Sequence, residues 1–172
     1  MRWIVVALVF AAGCTKASDA TSAKRMPQPP PPATARDVPL PDGLRIEVVV
    51  GGKPAAPIDA AKLRAATPDF ADAERRAWKV VTLLGADVVP PGTELVVTGA
   101  PAAGLVLTQP ASASDAQPAL MLNRRGDVVA TMLTPGAPFP PFHGEGGRLR
   151  RPGDTIPHLA GVVRIQVAHT IK

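Results

Sequence analysis

One cysteine, Cys14, is the whole thiol inventory of these 172 residues, and it stands at the end of the apolar run Trp3 to Ala12. A chain with a single cysteine closes no internal disulfide, so whatever folds here is held without a disulfide staple. Aromatic residues make up 3% of the chain, with no Tyr, and only Phe70, Trp78, Phe139 and Phe142 lie beyond position 37. The core must therefore come from Val, Leu, Ile and Ala. Residues 38–172 suffice for one domain with one such core.

The N-terminus has the order of an export signal: Met1-Arg2 as charged start, Trp3 to Phe10 as apolar centre, and small residues before Cys14. The run is too short for a bilayer span, which takes about 20 apolar residues, and polar Thr15-Lys16 follows at once. Residues 1–13 are read as a cleaved signal peptide. Ala11-Ala12-Gly13-Cys14 resembles the lipobox of bacterial lipoproteins, in which the cysteine thiol receives a diacylglyceryl group and becomes the first residue. Ala11 stands where leucine is usual, and an ordinary secretory signal cut near Gly13 is the alternative. The resemblance implies lipid attachment at Cys14, export, and a membrane anchor in the cell envelope, since several acyl chains at about 0.8 kcal/mol per buried methylene hold where one does not. Thr15, where Asp favours inner-membrane retention, points to the outer membrane facing the periplasm.

Residues 14–37 carry Ser, Thr, Lys and the run Pro27-Gln28-Pro29-Pro30-Pro31-Pro32 without apolar periodicity. Such a segment buries too little surface to offset its ordering entropy and is expected to be a disordered tether, with a reach on the order of 70 Å in polyproline geometry. A ligand for a proline-recognising domain is the sharper alternative, without flanking specificity residues to support it. The formal charge is +5, and from Val38 onward 14 Lys or Arg stand against 12 Asp or Glu. With no basic stripe and no interleaved aromatics, nucleic acid is not an expected partner.

The domain opens with Leu44, Ile46, Val48 and Val50 at period two, a strand. Gly51-Gly52-Lys53-Pro54 reads as a turn. Asp59 reads as the N-cap of a short helix, stapled by Ile58 and Leu63 and ended before Pro68. From Phe70 to Leu84 the apolar spacing is helical, firmest over Val80 to Leu84 with Gly85 as stop, while Arg75 to Lys79 also suits a short edge strand. Short strands then follow at 93–98, 104–108, 119–123 and 128–133, the last two closed by Arg124-Arg125-Gly126-Asp127, with Ser112, Ser114, Asp115 and Pro118 in a loop. Residues 134–142 form a proline-rich loop, and 148–151 and 162–168 read as closing strands. The expected class is α+β: one strand-rich domain with early short helices.

The order of these elements, with Trp78-Lys79-Val80-Val81-Thr82-Leu83-Leu84-Gly85, Val96-Val97-Thr98-Gly99-Ala100, Asn123-Arg124-Arg125-Gly126, Gly146 to Asp154 and Val163-Arg164-Ile165-Gln166-Val167, resembles the sulfite-oxidase-type molybdopterin-binding domain over Leu44 to Ala168. The resemblance implies a molybdopterin-binding-like fold. Catalytic members ligate molybdenum through a cysteine thiolate, and residues 38–172 contain none; only Met26, Met121 and Met132 offer sulfur beyond Cys14 and Met1. No catalytic residue is carried over.

Other chemistry is thinly represented. Ser112 and Ser114 lie in a polar loop and no Gly-x-Ser-x-Gly occurs. Gly144-Glu145-Gly146-Gly147 lacks the Lys-Ser/Thr ending of a phosphate loop and leads into a strand. His143, Glu145 and His158, near Asp154, are the candidate metal ligands, though zinc needs three or four converging donors and loop positions in solvent explain them as well. Arg124, Arg148 and Arg150, with Arg125 and Arg151, are candidates for an anion or pterin-phosphate pocket, against charges guarding an exposed edge. His169 falls on the last strand. The expectation is a lipid-anchored, extracytoplasmic domain that acts by binding or interaction, with no cofactor, and with a protein partner in the envelope. The alternative is a molybdopterin-dependent oxidoreductase or an accessory subunit of one.

Overall fold

The computed structural model describes residues 38–101, 103–139 and 157–168. Its contacts divide the chain into Met1–Pro32 and Ala33–Lys172, and every described residue falls in the second unit. That unit is strand-rich α+β; its described residues form ten strands in two five-stranded sheets and two helices of one to two turns.

The first sheet has the order β2-β1-β10-β5-β6. It is built from β1 (Arg45–Val50), β2 (Lys53–Asp59), β5 (Glu94–Gly99), β6 (Gly104–Thr108) and β10 (Val162–Ala168). Among the described strands its one parallel pair joins β1 to β10, with Val48 opposite Ile165. The period-two pattern of β1 puts Ile46 and Val48 in the core, at 0% and 2% exposure, and leaves Arg45 and Glu47 in solvent. Ile165, Val167, Leu95, Val97 and Leu107 continue that inner face.

The second sheet has the order β3-β4-β7-β8-β9. Its strands are β3 (Phe70–Ala71), β4 (Arg76–Lys79), β7 (Gln117–Leu122), β8 (Val128–Leu133) and β9 (His158–Ala160). Trp78, Leu120, Leu122, Ala130 and Leu159 meet the inner face of the first sheet in one continuous core. The chain passes from β9 in one sheet to β10 in the other through Gly161 alone, at φ 64°, a bend that L-residues rarely adopt. Close by, a Cβ on Gly99 would stand 2.9 Å from the Ala160 carbonyl oxygen, so only glycine lets β5 approach that corner.

Helix α1 (Ala60–Ala65) starts as its residues dictate: Asp59 Oδ1 accepts from the Lys62 N–H at 2.8 Å, and Ile58 and Leu63 are both buried. Helix α2 (Val80–Leu84) ends at Gly85, whose N–H bonds the Val81 carbonyl.

The structure corrects three local expectations and adds one strand, β9, that the sequence did not suggest. Lys53 and Pro54 belong to β2 and not to a turn; a strand with Pro54 and Pro57 is tolerated because β2 is an edge. Phe70 opens a strand, and the helical spacing from Phe70 to Ala77 is incidental to a hairpin of β3 and β4. Pro118 lies within β7 and not in the loop before it; β4 ends opposite Ala119, so no neighbour on that side needs the missing N–H. Strand β9 is three residues long, too short for any periodicity to show. The segment 148–151 lies outside the described residues.

Candidate functional site

Of the candidates drawn from sequence, Arg124, Arg125 and His158 are described; Cys14, His143, Glu145, Arg148, Arg150, Arg151, Asp154 and His169 lie outside the described residues. Arg124 sits in the turn between β7 and β8, where Asn123 Oδ1 accepts from the N–H groups of Arg125 and Asp127 and Gly126 takes φ 86°. Its Nη1 lies 3.3 Å from Glu74 Oε2, with both side chains more than half exposed. His158 opens β9 opposite Thr131. Thr131 is three residues along β8 from Val128 at the Arg124 turn, about 10 Å at strand rise, so the fold does not bring Arg124 and His158 together. Among the described residues no group of three His, Cys, Asp or Glu stands close enough to hold a metal ion.

Among the described residues two sulfurs, those of Met121 and Met132, could serve as donors, and the sheet separates them. Met121 lies on the outer face of β7, opposite Ala77 and Val129, whereas Met132 packs on the core. Thioethers on opposite faces of a sheet do not form a ligand set for a molybdenum centre.

The outer face of the first sheet carries a depression open to solvent, lined by Arg45, Glu47, Thr98, Val163 and Arg164. Glu47, Arg164 and Thr98 are in register across β1, β10 and β5. Arg164 grips Glu47 with Nε at 3.0 Å and Nη2 at 2.7 Å on the same carboxylate oxygen. Arg45, two residues along β1 and on the same face, makes no ion pair among the described residues. Sequence reading missed these residues, because alternation on a half-buried strand marks the polar face only as solvent-facing. The feature available in sequence was Arg45 and Glu47 on that face of β1, with the register to Arg164 set by pairing.

The outer face of the second sheet is covered at its centre. Ala77, Ala119 and Val129 are fully buried there and Thr131 nearly so, its Oγ1 donating to the Pro157 carbonyl at 2.8 Å. Charged groups gather at the β3–β4 end. Asp69 accepts from the Lys79 N–H at 2.8 Å and from Thr82 Oγ1 at 2.9 Å, Lys79 Nζ stands over the Phe70 ring, and the Arg75 guanidinium lies 4.7 Å from the centre of the Phe139 ring. Asp72 holds the hairpin turn. Burial raises the pKa of its carboxyl, but the hydrogen bonds from the Arg75 side chain and from the Glu74 and Arg75 N–H groups, with the Arg75 charge, together carry it below the ordinary 3.8. A depressed folded-state pKa contributes stability that is present above about 3.8 and lost as pH falls through the folded value. The β3–β4 amides are therefore expected to lose hydrogen-exchange protection in acid below pH 3.8 before the core strands do. Asp72→Asn should remove that pH step; an unchanged acid profile in the variant would assign the loss to other carboxylates.

A buried amide pair fixes the loop between β6 and β7. Gln109 Nε2 donates to Gln117 Oε1 at 3.0 Å, and Gln117 Nε2 donates to the carbonyls of Ser112 and Asp115. Ser112 Oγ and Ser114 Oγ are 2.7 Å apart, so their hydroxyls are engaged with each other in the exposed loop.

No family model matches the chain, and neither a curated protein nor a solved structure matches it.

Proposed function

We propose that this chain is an extracytoplasmic lipoprotein, anchored through Cys14, whose α+β domain acts by binding an envelope partner and not by catalysis. The observation that supports binding is the Arg45, Glu47 and Arg164 arrangement on an open sheet face. Two guanidinium groups and one carboxylate leave a net positive, shallow surface, with Arg45 available to accept a carboxylate from an acidic protein segment. A shallow charged surface suits docking of a macromolecule better than enclosure of a small substrate, for which a deep, mostly apolar cleft is usual. The anchor is supported by the Ala11-Ala12-Gly13-Cys14 motif and by the proline-rich composition of residues 14–37, which suits a spacer. The molybdopterin-domain resemblance belongs to the same proposal as a fold used without its metal.

The two halves are tested together in cells. Cys14→Ser is expected to move the chain from the membrane fraction to the soluble exported fraction, or to stall it uncleaved, and native Cys14 is expected to carry acyl mass. A photo-crosslinking residue at Thr98 is expected to give one discrete heterologous adduct that Arg45→Glu abolishes. Unmodified Cys14 in the native protein overturns the anchor, and an adduct indifferent to Arg45→Glu overturns the binding face. Molybdenum at one equivalent in the purified protein would replace this reading with the oxidoreductase.

A further inference from the structure

Among the described residues the two sheets present four edges, and three of them are guarded. β2 carries Lys53, Pro54 and Pro57; β3 is two residues long and β9 three. Proline, lysine and brevity are the usual means of keeping a sheet edge from pairing with another chain. β6 has none of them. Gly104-Leu105-Val106-Leu107-Thr108 holds no charge and no proline, and pairs with β5 at five successive positions without a bulge. Val106, at 56% exposure, is the most exposed large apolar side chain among the described residues.

The backbone parity of β6 follows from its two ends. The Gly99 N–H bonds the Ala103 carbonyl at 2.8 Å, and the Gln109 N–H bonds the Thr93 carbonyl at 2.9 Å. In an antiparallel ladder bonded and non-bonded pairs alternate, so Leu105 and Leu107 direct their N–H and C=O groups to β5. Those of Gly104, Val106 and Thr108 point away from it, and no described residue outside β5 bonds to them.

We propose that the β6 edge seats a second copy of this chain, with two β6 strands antiparallel across a two-fold axis at Val106 and two five-stranded sheets joined into one. The strand is self-complementary about that axis. Val106 meets Val106 of its partner, Leu105 meets Leu107, and Gly104 meets Thr108, so each outward N–H and C=O finds a mate. Pairing on the inner face extends the core, because Leu107 is buried and Leu105 packs against the same cluster. On the outer face Val96 lies opposite Val106, and the axis doubles that pair into a row of four valines. No like charges oppose each other, since the nearest acid, Glu94, stands on β5 opposite Thr108. An isologous contact of this kind closes at two copies. A pair of five-residue strands buries less than the roughly 1,200 Å² of a standard stable interface, so the association is weak and needs high local concentration.

The test is self-association of the full chain carrying Cys14→Ser, so that neither an acyl group nor a Cys14 disulfide contributes. Sedimentation equilibrium up to about 1 mM is expected to show a monomer–dimer equilibrium. Val106→Lys and Val106→Glu, each placed against its own copy by the two-fold axis, should weaken it at least about tenfold. An equimolar mixture of the two variants should recover it, because the axis then sets Lys against Glu. A measurement on the unsubstituted strand keeps the proposal open to refutation if a variant misfolds. With rising concentration, the amides of Gly104, Val106 and Thr108 should gain hydrogen-exchange protection while those of Leu105 and Leu107 stay unchanged. A chain monomeric throughout, a dimer untouched by both substitutions, a mixture that does not recover, or no alternation in amide protection each overturns the proposal. A heterologous peptide that protects the same alternate amides in a monomeric chain would make the occupant a different protein.

Discussion

Trp78→Ala is expected to lower the unfolding free energy by about 3–5 kcal/mol, a large share of the roughly 5–15 kcal/mol available to a domain of this kind. Trp78 is the largest fully buried side chain among the described residues, at 1% exposure. It stands on β4 opposite Leu120, in the core shared by both sheets, and its Nε1 donates to the Ala66 carbonyl at 3.0 Å, tying the end of α1 to the second sheet. Two effects therefore add in the alanine variant: a cavity where the indole was, and a carbonyl left without its donor. Trp78→Phe separates them, keeping most of the apolar volume while losing the N–H, and should fall about 1–3 kcal/mol below the native chain. Urea unfolding followed by circular dichroism measures all three chains. A Trp78→Ala cost below about 1 kcal/mol would mean that the core does not close around β4.

The second large effect is the contrast between adjacent residues of β1. Ile46→Ala should cost about 2–5 kcal/mol, because Ile46 is fully buried between the two sheets. Glu47→Ala should cost under about 1 kcal/mol, since the Arg164–Glu47 pair it breaks has both side chains about half exposed, where ion pairs are worth little. The same Glu47→Ala change frees Arg164 on the proposed binding face, so it should alter partner binding far more than stability. Equal costs for the two substitutions would contradict the inward face of β1 and the parallel pairing with β10 that depends on it.

How far the fold is legible from sequence depends on which residues carry the pattern. Strand β1, helix α1 with its Asp59 cap, the Val80–Leu84 helix and the β7–β8 hairpin are all local: alternation, a capping side chain and a Gly-containing turn act over a few residues. β2 is hidden because proline and alanine carry no alternation, and an edge position alone makes Pro54 and Pro57 acceptable. The helical spacing across 70–77 misleads for the converse reason. A β-hairpin also sets its apolar residues on one side, and Phe70 reaches Ala77 across the strand pair and not along a helix.

The candidate sites divide in the same way. Arg124 and His158 stand out in sequence as residue types suited to anions and metals, but the structure gives Arg124 to Glu74 and separates the two along β8. Arg45, Glu47 and Arg164 carry no motif. Arg164 and Glu47 are 117 residues apart, and only the pairing of first and last strands makes them neighbours.

Composition and local pattern by themselves determined a chain without internal disulfides, an aliphatic core, a strand-rich α+β class and the positions of most strands, because those properties depend on residue type and on neighbours within a turn or a strand. Strand order, the parallel β1–β10 pair, the passage between sheets at Gly161, the close approach at Gly99 and the contrast between three guarded edges and one open edge were decided by the tertiary structure alone. The physical reason is that a strand satisfies its backbone only on another strand, and which one it takes is set by how two whole faces pack, not by anything within its own short sequence.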